Sequence, residues 1–188
     1  MGYQKKRGDI KRIKEYMELA AQEALKSTCK KSKRGAVIIK DNKVIERDQP
    51  LSWSINHMYS CSYLSKIIAL IRGLNPEIAG IAGAIHDLYI IREGIFENHG
   101  PLSEPLVREF LGNFNIQYHS ELGKISEEDI ESICLATKLH TEKKTNSNNA
   151  FVELLKDTDS FDRFMHGHDI PDYYIPRCKA VLKDLKSL

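Results

Sequence analysis

The sequence of 188 residues has no apolar run near the ~20 residues that a membrane-spanning helix needs. Its first thirty residues contain no uninterrupted apolar stretch of signal-peptide length. Cysteine is scarce, and no two of the four cysteines form a Cys-x-x-Cys pair: Cys29, Cys61, Cys134 and Cys178. These absences argue against a membrane span, a secretory leader, a disulfide framework and a zinc knuckle. They predict a cytoplasmic protein with reduced, mostly buried cysteines.

The composition is that of a soluble globular protein, with 41% hydrophobic and 29% charged residues in a chain of single-domain length. Its charge is distributed unevenly. Residues 1–34 hold eleven Lys or Arg against four Asp or Glu, whereas the whole chain has a net charge of only +2. A basic N-terminal segment is usually a solvated surface. The alternative interpretation is that it contacts nucleic acid.

The first fifty residues differ in pattern from the rest. One apolar stripe at three- and four-residue steps predicts an amphipathic helix over residues 10–25. Two β-branched runs around Asp41-Asn42 then predict a small hairpin over residues 35–46. We therefore expect a helix and hairpin extension in residues 1–50, ahead of a helical domain in residues 51–188.

The pattern after Pro50 is helical throughout, which predicts an all-α fold. One helix should end at Gly73, and the next should begin with Asn75 as its N-cap and Pro76 in its first turn. That second helix runs up to His86-Asp87. Ser126 followed by Asp129 is a capping-box pattern. Further helices are predicted over residues 103–114, 126–139, 149–163 and 172–186.

The pair His86-Asp87 ends a strongly apolar helix, where an unpartnered carboxylate would be costly to bury. Taken alone, such a doublet most often marks a solvated helix end. Its distance from other residues changes this interpretation, because His57 lies 29 residues upstream and Asp159 lies 72 residues downstream. Two imidazoles and two carboxylates suit Mn, Fe, Co, Ni or Zn, with Mg also compatible, and suit calcium less. Four protein ligands on an octahedral ion leave positions for a water molecule and a phosphate oxygen.

This order of residues resembles the HD-domain superfamily, whose pattern is one His, a His-Asp doublet and a distant Asp, all on helices. The resemblance covers roughly residues 55–185 and includes three further elements: His99-Gly100 with Ser103, His140, and Asp157-Thr158-Asp159-Ser160-Phe161-Asp162-Arg163. It implies an HD-domain helical bundle and a metal-dependent phosphohydrolase. The implied metal ligands are His57, His86, Asp87 and Asp159, and Asp87 would also be the catalytic residue that orients the nucleophilic water.

Other residues of the pattern are candidates for binding substrate: His99, His140, Arg163 and Arg92. His140 is alternatively a helix C-cap, and His99-Gly-Pro is alternatively a solvent turn. Lys156 and Arg177 are further cations near the motifs, and Asp157 is an alternative ligand to Asp159. No His-His doublet is present to supply a second ion, so we expect one metal. The remaining histidines are interpreted as surface residues: His119, His166 and His168.

Departures from the family pattern leave the substrate open. Thr158 and Phe161 replace the usual Ala and Leu, and the residues after the doublet are bulkier than usual. We expect cleavage of a phosphomonoester or a nucleotide phosphate bond, with a small, nucleotide-like phosphorylated substrate as partner. The alternative is a non-catalytic HD-fold module that binds a nucleotide or nucleic acid, the latter through the basic N-terminal helix.

Residues 16–46 also resemble the opening helix and hairpin of a nucleotide deaminase. The zinc site of that family needs a Pro-Cys-x-x-Cys motif, and this chain has none. Deamination is therefore not the expected activity, and the segment is either a coincidental helix and hairpin or an accessory element.

Overall fold

A computed structural model describes residues 39–40, 43–44 and 47–187 of the chain. Within these ranges the architecture is helical, with one short antiparallel strand pair and one 3-10 turn at Asp172–Tyr174. The elements are β1 (Ile39–Lys40), β2 (Lys43–Val44), α1 (Leu51–Arg72), α2 (Pro76–Ile85), α3 (Leu88–Glu93), α4 (His99–Leu122), α5 (Glu127–Leu139), α6 (Ala150–Met165) and α7 (Ile175–Leu185).

The predicted all-α fold after Pro50 is confirmed. The predicted N-terminal helix over residues 10–25 lies outside the described residues, and so does most of the predicted hairpin over residues 35–46. Strands β1 and β2 have two residues each, with Ile39 opposite Val44 and Lys40 opposite Lys43. The helix and hairpin extension and the domain boundary at residue 50 therefore stay predictions.

Helix α1 ends and helix α2 begins where their capping residues predict. Gly73 closes α1 with a φ of 67°, a left-handed conformation that favours glycine. The side chain of Asn75 accepts hydrogen bonds from the backbone of Glu77 and Ile78, and Pro76 occupies the first turn of α2. This short connection fixes α2 against α1.

Two of the predicted helices have different bounds in the structure. Helix α4 begins at His99 rather than residue 103 and continues to Leu122 rather than residue 114. Pro101 lies in its first turn, where a missing N–H leaves no intrahelical bond unmade, so the Gly-Pro sequence does not delay the helix. Near the C-terminus, the predicted helix over residues 172–186 is divided into the 3-10 turn and α7, with Pro176 in the first turn of α7.

The core consists of two buried apolar clusters on either side of α2 and α6. One joins residues of α2, α4, α5 and α6, including Ile85, Leu111 and Ile133. The other joins α1, α6 and α7 through Ile68, Leu154 and Val181. Each fully buried aliphatic side chain contributes about 1.5–3 kcal/mol, so these clusters hold the helix ends that carry the polar residues in place. Among the described residues, no helix is long and apolar enough to cross a membrane.

Candidate metal centre

His57 projects from the second turn of α1 and lies between carboxylates from two other elements. Its Nδ1 is 2.6 Å from Asp162 Oδ2, and its Nε2 is 3.0 Å from Asp159 Oδ1 and 3.8 Å from Asp87 Oδ2. The Ser60 hydroxyl donates to the other oxygen of Asp162. All three carboxylates and the imidazole are almost completely buried. The bond to Asp162 fixes the His57 ring and directs Nε2 towards the other two acids.

His86 and Asp87 lie at a break in the chain between two helices. His86 is the C-cap of α2, and Asp87 is the residue that precedes α3. The Nδ1–H of His86 donates to the Gly83 carbonyl at 2.9 Å. Among the described residues, His86 Nε2 and both carboxylate oxygens of Asp87 are buried without a hydrogen-bond partner. Such orphaned atoms are rare in protein interiors, and three together indicate a site built for a cation.

Two glycines allow the helices to approach closely enough to form this site. A Cβ at Gly83 would lie 2.6 Å from the backbone oxygen of Cys61, so only glycine lets α2 pack this closely against α1 beside His57. A Cβ at Gly100 would lie 2.9 Å from the backbone oxygen of Lys138, at the end of α5. The family-like His-Gly pair therefore has a steric role, because Gly100 brings His99 next to His140.

His99 and His140 complete a ring of imidazoles around Asp87. Their Nδ1 atoms donate to the backbone carbonyls of Phe96 and Thr137, at 2.5 and 2.6 Å. Their Nε2 atoms lie 3.1 Å apart and 3.4 and 3.3 Å from Asp87 Oδ1, although neither makes a hydrogen bond to Asp87 with acceptable geometry. The predicted substrate residues His99 and His140 are thus brought into the same cluster as the predicted metal ligands.

All four histidines share one orientation, with Nδ1 engaged by the protein and Nε2 directed inward. In a neutral imidazole whose Nδ1 carries the proton, Nε2 presents a lone pair. Lone pairs that face each other and face carboxylates repel unless a proton or a metal ion lies between them. Fixing Nδ1 by a carboxylate or a carbonyl is also the usual support for a metal-bound histidine. The donor set therefore fits a divalent metal.

The directions of the pKa shifts indicate which of these groups are charged before an ion binds. Burial lowers the pKa of His86 to about 4, so its imidazole is neutral at neutral pH. Burial also lowers the pKa of His57, but its contacts with Cys61 and with two carboxylates outweigh this and raise it well above the ordinary value. A metal at His57 Nε2 would therefore displace a proton. Burial alone would raise the pKa of Asp159, yet the Lys143 ammonium and His57 hold it well below its usual range.

Two overlapping groups of ligand atoms lie within 4.8 Å of one another: His57, Cys61, His86 and Asp159, and His86, Asp87 and His140. The sulfur of Cys61 is the exception among these atoms. It lies 3.7 Å from Nδ1 and 3.8 Å from Nε2 of His57, which places it beside the ring rather than in front of the Nε2 lone pair. Oxygen and imidazole nitrogen are therefore the atoms aimed into the site.

Lys143 is a residue of the site that the sequence interpretation missed. Its side chain is 1% exposed, and its ammonium lies 2.5 Å from Asp159 Oδ2. No motif marks this lysine, and a lysine in a Thr-Glu-Lys-Lys run is ordinarily interpreted as a surface residue. The guanidinium of Arg163, one turn after Asp159 on α6, is 3.4 Å from the other oxygen. Both oxygens of Asp159 therefore have a cationic neighbour.

The other predicted residues lie around this centre in different ways. Asp157, the alternative ligand, pairs with Arg177 and Arg72. Lys156 and Arg177 are buried and bond to the loop between α5 and α6. Arg92 is 55% exposed and pairs with its neighbour Glu93. His166 is exposed, as expected, but its Nδ1 also lies 3.3 Å from Asp162 Oδ2.

Of three comparisons with known proteins, one gave a match. Searches of curated proteins and of solved structures gave no match. The model of one family, described as HD domain, matches residues 54–164, which is more than half of the chain. The match begins just before His57 and ends just after Arg163, so it spans all the residues of the buried cluster. The chain belongs to the HD domain family.

Proposed function

We propose that the protein is a metal-dependent phosphohydrolase that cleaves a phosphomonoester or a nucleotide phosphate bond. One observation carries the proposal: buried Nε2 atoms converge on Asp87, and the described residues supply no hydrogen bond to either oxygen of that carboxylate. A carboxylate that served only structure would be expected to have such partners. Family membership supports the same class of reaction.

His57, His86, Asp87 and Asp159 would hold the metal, in agreement with the sequence prediction. A bound divalent ion supplies the positive charge that acidifies a water molecule and neutralises a phosphate. Asp87 would accept a hydrogen bond from that water and orient it for attack on phosphorus. His57 would be kept in its ligating orientation by Asp162, with which it forms a 2.6 Å contact. The identity of the metal is a matter of ligand type and supply, and Mn, Fe, Co, Ni and Zn all suit this set.

Arg163 is the best candidate among the cations for a substrate phosphate. Its side chain is 21% exposed, beside Asp159, and its guanidinium lies 5.4 Å from the centroid of the Phe96 ring. Arginine in such a position can bind phosphate through two hydrogen bonds. His99 and His140 would contact the same phosphate or help to hold a second ion, because His140 also belongs to a group of potential ligand atoms with His86 and Asp87.

A small nucleotide-like substrate, a cytoplasmic location and a role for Arg92 in binding substrate belong to this proposal. Cys61, Cys134 and Cys178 are free and buried, which agrees with a reducing environment. The alternative is an HD-fold module that binds a nucleotide or nucleic acid without turnover. The basic segment on which nucleic-acid binding would depend lies outside the described residues.

The test is metal analysis combined with phosphate release. We expect purified protein to contain at least one transition metal ion per chain and to release phosphate from nucleoside mono-, di- or triphosphates or sugar phosphates with Mn, Mg, Co or Ni. The Asp87→Ala variant should lose the metal and the activity together, because it removes a ligand and the group that orients water.

Asp169→Ala is the matched control, since Asp169 is an exposed aspartate in the loop after α6. It should keep the metal and the activity of the unmodified chain. Bound metal with no phosphate release from any of these substrates would favour the binding module. A chain that binds no metal at all would contradict the proposal.

A further inference from the structure

Lys143 has the environment of a built-in counter-ion. Its ammonium is enclosed in the protein, 2.5 Å from Asp159 Oδ2 and 3.1 Å from the backbone carbonyl of Lys156. A buried ammonium is costly unless it is paired and hydrogen-bonded, and these two acceptors meet that requirement. The pairing uses the oxygen of Asp159 that does not contact His57, because His57 Nε2 lies 3.0 Å from Oδ1. Oδ1 of Asp159 therefore faces His57, and Oδ2 is bonded to Lys143.

The loop that carries Lys143 is anchored by a second buried cation. The guanidinium of Arg177 donates to the carbonyls of Lys143 and Thr145, and it pairs with Glu153 and Asp157 on α6. Lys143 therefore does not reach Asp159 from a free loop. Its backbone carbonyl is bonded to Arg177 on α7, which in turn pairs with the helix that carries Asp159, so none of these contacts requires a bound metal.

We propose that Lys143 is a positioning residue of the metal site, which restricts Asp159 to a single ligating oxygen and weakens its attraction for the metal. This inference rests on the proposed function, since it requires an ion at Asp159. By engaging Oδ2, Lys143 leaves only Oδ1 to the ion and keeps one coordination position open that a chelating carboxylate would fill. Its positive charge also opposes that of the ion across the shared carboxylate.

The inference predicts opposite effects of removing the lysine on the metal-free and the metal-bound protein. In Lys143→Met, the metal-free protein should lose stability, because Asp159 loses its counter-ion in a buried position. Metal binding should become tighter, on the order of tenfold, because a like charge is removed and Oδ2 becomes available. The rise in melting temperature on adding metal should therefore be larger in Lys143→Met than in the unmodified chain.

The experiment measures thermal unfolding of the full chain with a chelator and with saturating Mn²⁺, and Mn²⁺ affinity by calorimetry. Lys156→Met is the matched control, because Lys156 is an equally buried lysine whose ammonium bonds to Thr145 and Glu153 rather than to Asp159. This control should lower the melting temperature by the same amount with and without Mn²⁺. Lys143→Gln keeps a hydrogen-bond donor without the charge, and it replaces Lys143→Met if that variant does not fold.

The outcomes distinguish failure of the inference on Lys143 from failure of the proposed function. A larger Mn²⁺ shift and tighter Mn²⁺ binding in the Lys143 variants, with an unchanged shift in Lys156→Met, support the inference. The same Mn²⁺ shift in all three proteins overturns it and leaves the metal site intact. An unmodified chain that shows no Mn²⁺ shift overturns both the inference and the proposed function.

Discussion

The two aspartates at the centre of the cluster have opposite surroundings. Asp159 is paired with Lys143 and approached by Arg163, so its charge is compensated by side chains that are always present. Asp87 is surrounded by His86, His99 and His140, and it receives no hydrogen bond from the described residues. An imidazole offers a countercharge only while it holds a second proton, so Asp87 has no permanent counter-ion among the described residues.

This contrast separates a fixed part of the site from an exchangeable part. A lysine or arginine cannot leave when a metal arrives, whereas a proton between two imidazoles can. The His99 and His140 Nε2 atoms lie 3.1 Å apart, a contact that needs either a proton or a cation between them. Under the proposed function, an incoming ion would therefore replace protons on the Asp87 side, whereas the ion pairs on the Asp159 side need no metal.

The largest expected effect comes from neutralising each aspartate in turn. Asp159→Asn should destabilise the metal-free protein by about 3–5 kcal/mol, because it leaves Lys143 buried without its counter-ion. Asp87→Asn should cost less than about 1 kcal/mol, since no hydrogen bond is lost and a buried charge is removed. Denaturant unfolding in the presence of a chelator measures both values.

Both variants should also lose tight binding of Mn²⁺, because each removes a carboxylate ligand. That shared loss is the control showing that both substitutions affect the same site. Equal destabilisation of the two metal-free variants would mean that the countercharge of Asp87 is as permanent as that of Asp159, and the contrast would be wrong.

A smaller effect on Mn²⁺ binding is expected from substitution of Asp162, which is not one of the proposed ligands but supports one of them. It accepts the Nδ1–H of His57 at 2.6 Å. Asp162→Asn should weaken Mn²⁺ binding by about 10–100-fold. The carboxylate of Asp162 orients the His57 ring and makes Nε2 a stronger electron-pair donor to a metal, and the variant loses both effects. Titration calorimetry measures this change.

Ser60→Ala provides the comparison for Asp162→Asn, since the Ser60 hydroxyl donates to the other oxygen of Asp162 and reaches His57 only at its backbone carbonyl, not at its imidazole. It should change Mn²⁺ affinity far less than Asp162→Asn does. A weakening of the same size in both variants would show that the position of Asp162, rather than its bond to His57, is what matters.

The helix ends could be predicted from capping residues, and the candidate ligands from the order of His, His-Asp and Asp along the chain. Gly73, Asn75 and Ser126 act at helix ends through their own backbone or side-chain chemistry, and each acts where the sequence predicts. The structure also brings the four predicted ligands together, since each lies at the inner end or face of a helix. The roles assigned to them stay predictions.

The features that could not be predicted depend on contacts between distant segments. Helix α3 is six residues long and has no side-chain cap of its own. Instead, the hydroxyl of Ser103 on α4 accepts the backbone N–H of Tyr89, a bond that no local pattern reveals. Lys143 is similar, because its burial follows from Asp159 and Arg177, which lie 16 and 34 residues further along the chain.

The smallest effect should follow substitution of Cys61, which lies within reach of the cluster but is not aimed into it. Its sulfur is almost equidistant from the two nitrogens of His57, at 3.7 and 3.8 Å, so a metal on the Nε2 lone pair would lie away from it. Burial raises the pKa of the thiol to about 11, so it is protonated at neutral pH and a weak ligand. Cys61→Ala should therefore change Mn²⁺ affinity by no more than about twofold.

Cobalt-loaded protein should show the same near-ultraviolet spectrum in the unmodified chain, in Cys61→Ala and in the control Cys134→Ala. A thiolate-to-cobalt band that disappears only in Cys61→Ala would make the sulfur a ligand, and the Asp159 side would then hold the ion more tightly than its two paired oxygens imply.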